Sequence, residues 1–517
     1  MPAGNTTPVS ASPPESNGAD KIVLAAILMI AVLRSVALLL SPLDLGVDEA
    51  QYWLWSQTFD FGYYTKPPMT SWIIAITHGL FGHESWAVRF AAPWLHFATA
   101  LLIWRTAGWL YGQTAGRWAG LLWMLLPAVS LGSFVMSTDT PLLFFWAGAL
   151  CTVTGVICRR ISPSRGMFFA GLLIGGGMLA KYAAIYFLLG ILLYWLCQGR
   201  ANKQQSSTKT LMNEQIFILK LRHLALALTG MLLAASPNLG WQLLNDFATV
   251  QHLGDNANLA KQSYSLINSV NFLGAQFATA GPLCFALMVL ILRSAEDTMA
   301  RRLLICLSVP VLAIIAMQAF LSEANANWAL TAMPALVVWL AGWIARRHPI
   351  EISAMDRVKK QRWGLLAIAI NGGIALFFLG ASMSGDLGPL TPKSDPMRHL
   401  RGWQALSLDV DQALATNGGR IVIADRRATA ALLTWYFYRR NVTVLIHDGD
   451  GIPSNHFEEN LAWQPKGGRQ LLWLDGRATP PQVSGVTWDG SALLSDVAIS
   501  ARRHRKLYLH QGHETGE

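Results

Sequence analysis

The chain has 517 residues, of which 53% are apolar and only 14% are charged. Soluble proteins of this size usually carry about a quarter charged residues, so the composition excludes an ordinary soluble enzyme. Long apolar runs recur over most of the chain and predict a polytopic α-helical membrane protein. The net charge of +10 does not indicate nucleic-acid binding, because the basic residues form no nucleic-acid-binding motif and concentrate between apolar runs.

The apolar runs predict about eleven transmembrane helices. A tail rich in Pro, Ser, Asn and Ala, residues 1–20, precedes them and is expected to be disordered and cytoplasmic. The first run is long enough to span a bilayer, and no small-residue cleavage site of a signal peptide follows it. The predicted spans are residues 21–41, 88–110, 117–135, 140–158, 166–180, 182–198, 217–236, 269–292, 302–320, 327–345 and 363–382.

Basic residues between the spans predict their orientation. One set of alternate loops holds nineteen Lys and Arg residues, whereas the other set holds only four. The nineteen lie within residues 105–117, 159–165, 200–222, 293–302 and 346–362. The positive-inside rule places the richer set in the cytoplasm. The N-terminus is then cytoplasmic, and loops 42–87 and 237–268 are periplasmic, as is the chain after about residue 380.

Residues 383–517 differ from the transmembrane domain, residues 21–382, because they have the pattern of a small soluble domain. Residues 420–424, 442–446 and 470–474 have strand-like sequences, and residues 428–438 have a helix-like sequence. The strand–helix–strand order predicts a small periplasmic α/β domain.

The loop after the first span holds a pair of carboxylates, Asp48 and Glu49. Tyr52, Trp55 and Phe59 follow at helical spacing. A carboxylate held at the membrane surface could accept a proton from a substrate hydroxyl. The pair equally fits a helix N-terminus, where the dipole favours acidic residues and their oxygens cap free N–H groups.

Lys66 ends the same loop, directly before Pro67 and Pro68. Two consecutive prolines predict the start of a helix. A lysine at such a place could bind an anionic phosphate. The alternative is a lysine whose ammonium only reaches toward lipid headgroups.

Four ionisable residues elsewhere are further candidates. Asp139, close to Pro141, could cap a helix or present a second outward carboxylate. Lys181 and Arg34 interrupt apolar runs, where an unpaired charge is costly, so each is expected to pair with a carboxylate or a phosphate. His252, in the 237–268 loop, is a candidate for donor, acceptor or metal contact, although a lone histidine is more often structural.

Taken together, four motifs in this order resemble the GT-C glycosyltransferases. They are Asp48-Glu49 with the aromatic residues after it, Lys66-Pro67-Pro68, residues 137–141 (STDTP) and residues 179–182 (LAKY). The similarity is to the bacterial branch related to dolichyl-phosphate-mannose protein mannosyltransferases and lipid A aminoarabinose transferases. It covers about residues 25 to 460 and includes residues 327–335 (NWALTAMPA), 423–425 and 454–457.

The resemblance implies an inverting transferase that moves a sugar from a polyprenyl-phosphate donor to an envelope glycolipid, lipid A or lipopolysaccharide core, at the periplasmic face of the inner membrane. The absence of a nucleotide-phosphate glycine motif in the sequence fits a lipid-linked donor. Asp48 matches the family's catalytic carboxylate, and Asp139 matches a second acidic position near the donor. Lys66 matches the lysine implicated in donor-phosphate binding.

Other residues take supporting roles in this interpretation. Arg34 and Lys181 are expected to help Lys66 hold the phosphate. The remaining candidates, expected to contact the acceptor or support the site, are Glu49, Tyr52, Tyr63 and His252. Thr65 stands where aminoarabinose transferases carry a glutamate, which argues against transferring their metal site or sugar to this chain. No cofactor is expected with certainty, and a divalent metal stays open.

Two other functions stay open on the sequence alone, as does a catalytically inactive scaffold, against which the presence of Asp48, Asp139 and Lys66 argues. A protein Ser or Thr could replace the glycolipid as acceptor for the same donor. A transporter or lipid carrier would instead show paired charges deep in several spans and an internal repeat, and the sequence has neither pattern. Uronic acid, aminoarabinose and neutral hexose are all compatible with the sequence.

Overall fold

The computed structural model describes most of the chain. The described residues are 17–205, 218–247, 249–250, 254, 264–293, 298–345, 354–386, 395, 397–418, 420–451, 453–500 and 503–515. Residues 1–16 of the predicted tail therefore lie outside the described residues, whereas residues 17–20 already belong to the first helix.

Helices dominate the described residues up to Ser384. They are α1 (Asn17–Leu39), α2 (Val47–Ser56), α3 (Met69–Phe81), α4 (Ser85–Arg89), α5 (Ala91–Tyr111), α6 (Gln113–Leu125), α7 (Pro127–Gly132), α8 (Asp139–Ile157), α9 (Pro163–Ala180), α10 (Tyr186–Gln205), α11 (Leu221–Leu244), α12 (Leu266–Ala280), α13 (Pro282–Leu292), α14 (Met299–Cys306), α15 (Val309–Leu321), α16 (Met333–Ala345) and α17 (Ala354–Ser384). Short 3₁₀ turns cover Tyr182–Ile185 and Ala326–Ala332.

Seven helical segments among the described residues are long and apolar enough to cross a membrane, or eight if one bent pair counts as a span. The chain is therefore a multi-pass membrane protein, but the predicted number of eleven spans is not confirmed. The seven segments are Gly18–Leu39, Ser85–Tyr111, Asp139–Ile157, Leu221–Leu244, Met299–Leu321, Ala326–Ala345 and Val358–Ser384.

Breaks within the helices account for the difference between the eleven predicted spans and the seven segments in the structure. The predicted span 117–135 is divided between α6 and α7, because Pro127 disfavours a helical conformation at Leu126, which is extended instead. The predicted span 269–292 consists of α12 and α13, which meet at an angle of 115°. Gly281 lies at the bend with a φ of 90°, a conformation that favours glycine. The predicted spans 166–180 and 182–198 are helical, but neither is among the seven.

Glycines let α9 and α11 pack closely. A Cβ atom at Gly171 would lie 2.0 Å from the carbonyl oxygen of Ala227, and one at Gly175 would lie 2.5 Å from that of Met231. Small residues at such contacts allow two helix backbones to approach. The packing fixes the end of α9, where Lys181 takes an extended conformation and interrupts the helix before α10.

The C-terminal domain, the described residues from 395 onward, contains a five-stranded sheet with the strand order β2-β1-β3-β5-β4. β1 pairs in parallel with β2 and β3, and β5 runs antiparallel between β3 and β4. The elements are α18 (Trp403–Asn417), β1 (Ile421–Ala424), α19 (Arg427–Tyr436), β2 (Thr443–Ile446), α20 (His456–Leu461), β3 (Gln470–Asp475), β4 (Val486–Ser500) and β5 (Arg503–Glu514). The first three strands and α19 coincide with the strand–helix–strand pattern in the sequence, and the β4–β5 hairpin is additional.

The C-terminal domain packs on the loop that follows α1. The apolar core of the domain is continuous with buried aromatic residues of α2, including Trp53. The ring of Trp53 makes an edge contact with that of Trp435 in α19, with centroids 4.8 Å apart. The carboxylate of Asp44 accepts hydrogen bonds from the backbone N–H of Trp403 at 2.7 Å and from the hydroxyl of Tyr436 at 2.5 Å. These contacts hold the end of α19 against α2 and the chain that leads into it.

Candidate functional site

The structure brings five chain segments together at one end of the helix bundle. They are α2, the turn before α3, the start of α8, the break after α9 and the 3₁₀ turn Ala326–Ala332. All five lie in segments that the distribution of basic residues assigns to one side of the membrane. The start of α19 covers the same place from the C-terminal domain.

Glu49 anchors α2. Its carboxylate is 1% exposed, and its Oε1 and Oε2 atoms accept hydrogen bonds from Nε and Nη2 of Arg89 at 2.8 and 2.6 Å. It also accepts from the backbone N–H of Gly46 at 2.8 Å and from that of Met136 at 2.9 Å. The helix-cap interpretation of the acidic pair is therefore right for Glu49, which supports the site as a structural residue.

Asp48, one position earlier, points away from this anchor. Its side chain is 64% exposed and forms an ion pair with Nη2 of Arg427. Nε of Arg427 donates to Oε1 of Gln51 at 2.6 Å, and Nε2 of Gln51 lies 3.4 Å from Oγ1 of Thr65. The two neighbouring carboxylates thus have different environments, and only that of Asp48 is open to a substrate.

Lys66 lies in a tight turn whose backbone N–H and C=O groups pair with those of Tyr63. Pro68 precedes α3, as the two prolines predict. In the described part of the chain, the Lys66 ammonium has neither a carboxylate nor a hydrogen-bond partner. Burial lowers the pKa of Lys66, Asp48 opposes this shift, and Lys181 adds to it. A partly buried cation that has no such partner among the described residues is a suitable site for an anion.

Asp139 and Lys181 form the second ion pair of the site, with 2.7 Å between Oδ1 and Nζ. The other carboxylate oxygen, Oδ2, accepts from Nδ2 of Asn327 at 2.7 Å. Asp139 is only 7% exposed. Asp139 lies in the first turn of α8, but no side-chain hydrogen bond caps this helix, so helix capping does not account for the residue.

Two tyrosines pack behind these charges. Tyr52 is buried, and burial raises the pKa of its hydroxyl well above the usual value, with a further increase from the Asp48 carboxylate. Tyr63 stacks on Trp55 with ring centroids 4.9 Å apart, and its hydroxyl lies 2.8 Å from the carbonyl oxygen of Trp55. Burial raises the pKa of Tyr63 to about 12. Tyr63 thereby holds the turn that carries Lys66.

Arg34 is not brought to this site, contrary to the expectation that it helps hold the phosphate. Its guanidinium is buried between α1, α6 and α7 and donates to the hydroxyls of Ser130 and Ser133 and to the carbonyl oxygen of Met124. These three acceptors satisfy a buried cation, which makes Arg34 a packing residue of the bundle.

Two further expectations from the sequence concern His252 and a divalent metal ion. His252 lies outside the described residues. Among the residues that are described, no group of three or more His, Cys, Asp or Glu side chains is placed to hold a metal ion.

The site also contains three residues that the sequence pattern did not single out. Arg427 and Gln51 flank Asp48 and Thr65, and Asn327 binds Asp139. Asn327 belongs to the NWALTAMPA stretch, so its motif was the signal for it. Residues 454–457 also belong to the family resemblance, and they have a structural role. The Asn455 side chain caps α20 by accepting hydrogen bonds from the N–H groups of Phe457 and Glu458.

Comparison with known proteins gives consistent matches. Residues 65–241 match the family described as dolichyl-phosphate-mannose-protein mannosyltransferase. The chain is 32% identical over 466 residues to the lipid A galacturonosyltransferase RgtD of Rhizobium johnstonii, which covers 88% of this chain and 91% of RgtD.

Solved structures have the same fold at much lower identity. ArnT from Cupriavidus metallidurans, in the apo state and bound to undecaprenyl phosphate, superposes with a TM-score of 0.64 at 15% and 14% identity, over 96% of this chain and 98% of ArnT. The archaeal oligosaccharyltransferase AglB from Archaeoglobus fulgidus gives a TM-score of 0.51 at 12% identity, over 89% of this chain and 70% of AglB. From its extensive similarity to RgtD and its ArnT-like fold, the chain belongs to the GT-C superfamily of glycosyltransferases, in the same family as RgtD.

Proposed function

We propose that this protein transfers a uronic acid, of the galacturonic acid type, from a polyprenyl-phosphate donor to lipid A or lipopolysaccharide core. The similarity to RgtD, a lipid A galacturonosyltransferase, supports the sugar and the acceptor. The observation that carries the chemistry is the proximity of an exposed carboxylate, Asp48, to the partly buried ammonium of Lys66, which has no ion-pair or hydrogen-bond partner among the described residues.

In the proposed reaction Asp48 is the general base. Its carboxylate takes the proton from an acceptor hydroxyl as the hydroxyl oxygen attacks the anomeric carbon of the donor sugar. The bond from that carbon to the phosphate oxygen breaks, and its electron pair leaves with the polyprenyl phosphate. Because attack and departure occur on opposite faces of the sugar ring, the anomeric configuration inverts.

Lys66 stabilises the departing phosphate. A fixed cation aimed at a developing negative charge lowers the barrier most when water is excluded, and the partial burial of Lys66 contributes to that environment. Lys181 lies close enough to act on Lys66 electrostatically, while Asp139 and Asn327 hold its position. Asp139 is proposed to orient the donor through this network.

We place the site at the periplasmic face of a bacterial inner membrane. The nineteen basic residues in the opposite loops support this orientation. Labelling tests it: a Gln57→Cys variant in a background without the five native cysteines should react with a membrane-impermeant thiol reagent added to intact spheroplasts. Labelling only after the membrane is permeabilised would reverse the orientation.

Transfer assays test the function. Purified protein is given polyprenyl-phosphate galacturonate with either lipid A or a Ser/Thr-rich peptide, and the products are analysed by mass spectrometry. We expect lipid A to gain one hexuronosyl mass. A modified peptide with unmodified lipid A would instead identify a protein glycosyltransferase, and no transfer from any polyprenyl-phosphate sugar would contradict the enzymatic proposal.

A further inference from the structure

Arg427 is the cation of the site that comes from the C-terminal domain. Its side chain is 36% exposed and is held by two partners, Gln51 at Nε and Asp48 at Nη2. These bonds fix the plane of the guanidinium. In the part of the chain that the structure describes, no protein acceptor is bound to Nη1, which leaves one edge of the guanidinium available at the same place as Asp48 and Lys66.

Charge at the site favours an acidic ligand over a basic one. Lys66, Lys181 and Arg427 share the site with two carboxylates, Asp48 and Asp139, and the other four charges all act electrostatically on Lys66. The two ion pairs use Lys181 and Arg427, so Lys66 carries the excess positive charge, which the donor phosphate balances. The donor phosphate is therefore the acidic group that this excess charge attracts, and a uronosyl carboxylate needs a cation of its own.

A sugar carboxylate beside Asp48 needs a cation between the two. Arginine is suited to this task because its planar guanidinium binds a carboxylate in a defined orientation and stays charged over the whole working range of pH. Arg427 already faces Asp48 with one nitrogen and has another nitrogen available. Arg427 can therefore bind a second carboxylate without releasing that of Asp48.

We infer that Arg427 is a specificity-determining residue that binds the carboxylate of the uronosyl group in the donor. This inference rests on the proposed function and names the part of the same site that would distinguish an acidic sugar from its neutral counterpart. Arg427 is separated from Asp48 by 379 residues along the chain, so the C-terminal domain supplies the selectivity while the transmembrane domain supplies the base and the phosphate site.

The experiment compares two donors that differ only at this group: polyprenyl-phosphate galacturonate and polyprenyl-phosphate galactose, with lipid A as acceptor. For each variant the ratio of kcat/KM between the two donors is measured, or the ratio of inhibition constants in competition if galactose is bound but not transferred. We expect Arg427→Gln to reduce the preference for galacturonate about 10- to 100-fold, the usual loss for a charge-assisted hydrogen-bonded pair. Arg427→Lys, which keeps the charge, should retain part of the preference.

Two controls separate selectivity from general damage. Lys66→Gln should lower the rates with both donors by similar factors, because both carry the phosphate. Arg440→Gln, which removes an exposed arginine paired with Asp411 in the same domain, should leave the ratio unchanged.

The outcomes distinguish the inference from the proposed function. If Arg427→Gln lowers the rates with both donors equally, Arg427 only orients Asp48 and the inference is wrong. If the ratio changes with Lys181→Gln but not with Arg427→Gln, the carboxylate binds Lys181 instead. If the unchanged protein transfers neither sugar, the proposed function itself fails.

Discussion

Glu49 and Arg89 form an ion pair that is almost completely buried, with 2.6 Å between Oε2 and Nη2. Arg89 also donates to the backbone carbonyl oxygens of Leu43 and Asp44, so it holds both the start of α2 and the chain leading into it. The orientation of α2 determines where Asp48 points. A structural pair that is inaccessible to substrate thus positions the carboxylate that is open to it.

Removing Arg89 should destabilise the protein strongly. Arg89→Ala leaves the Glu49 carboxylate buried without its partner, and the expected loss in free energy of unfolding is about 3–5 kcal/mol. Thermal unfolding of the detergent-solubilised protein measures this as a large fall in Tm. The double variant Glu49→Gln, Arg89→Met, which leaves no unpaired charge, should recover part of the loss. A single variant as stable as the unchanged protein would show that the buried pair does not hold α2.

Asp48→Asn should abolish most of the transfer activity while preserving the fold. An amide cannot accept the proton, and general-base catalysis usually contributes about 10²- to 10⁴-fold to the rate. Because Asp48 is 64% exposed, its replacement should hardly change Tm. Glu84→Gln is the matched control, since Glu84 is an exposed carboxylate in the same loop with no capping hydrogen bond. Full activity of the Asp48→Asn variant would remove Asp48 from the chemistry.

The sequence predicted which charged residues lie close together better than it predicted the course of the helices. Asp48, Lys66, Asp139 and Lys181 stand out because charges and prolines interrupt or flank apolar runs, and the structure brings all four together. The breaks at Pro127 and Gly281 were also visible as proline and glycine signals, but the apolar composition continues across them. A hydropathy pattern shows how long an apolar segment is, but it does not show whether the helix bends within that segment.

Long-range contacts account for what the sequence did not predict. The pairing of Arg427 with Asp48 joins residues 379 positions apart, and no local pattern indicates it. The β4–β5 hairpin was missed for a different reason. Register shifts, as between Trp488 and Gly490 and between Leu493 and Ser495, interrupt the alternation of side chains by which a strand is recognised.

Asn327→Ala should lower transfer without altering the charge of the site. Asp139 keeps Lys181 but loses the second donor that fixes its carboxylate. The loss of a hydrogen bond to a charged group at a partly exposed position should reduce kcat/KM by about 3- to 10-fold. Asn325→Ala, at an exposed asparagine of the same segment that caps nothing, should have no effect. Equal effects of the two substitutions would indicate damage to the 3₁₀ turn rather than loss of the Asp139 contact.

The pH dependence of donor binding should reflect Lys66. Burial, with the charges of Lys181 and Arg427, keeps the pKa of its ammonium below the ordinary value of 10.5. As the pH rises through this lowered pKa, Lys66 loses the charge that binds phosphate, so KM for the donor should increase on the alkaline side. The stability of the ligand-free protein changes in the opposite direction. Because the unfolded chain holds the Lys66 proton to higher pH than the folded protein does, the free energy of unfolding increases between the folded and the unfolded pKa.

Lys66→Arg separates this group from other alkaline titrations. Its guanidinium remains charged, so the increase in KM should move to higher pH while kcat near neutrality changes much less. KM for the polyprenyl-phosphate donor is measured for both proteins between about pH 7 and 10.5, with Tm of the ligand-free proteins over the same range. An unchanged alkaline increase in the Lys66→Arg variant would assign the titration to another group and contradict this prediction for Lys66.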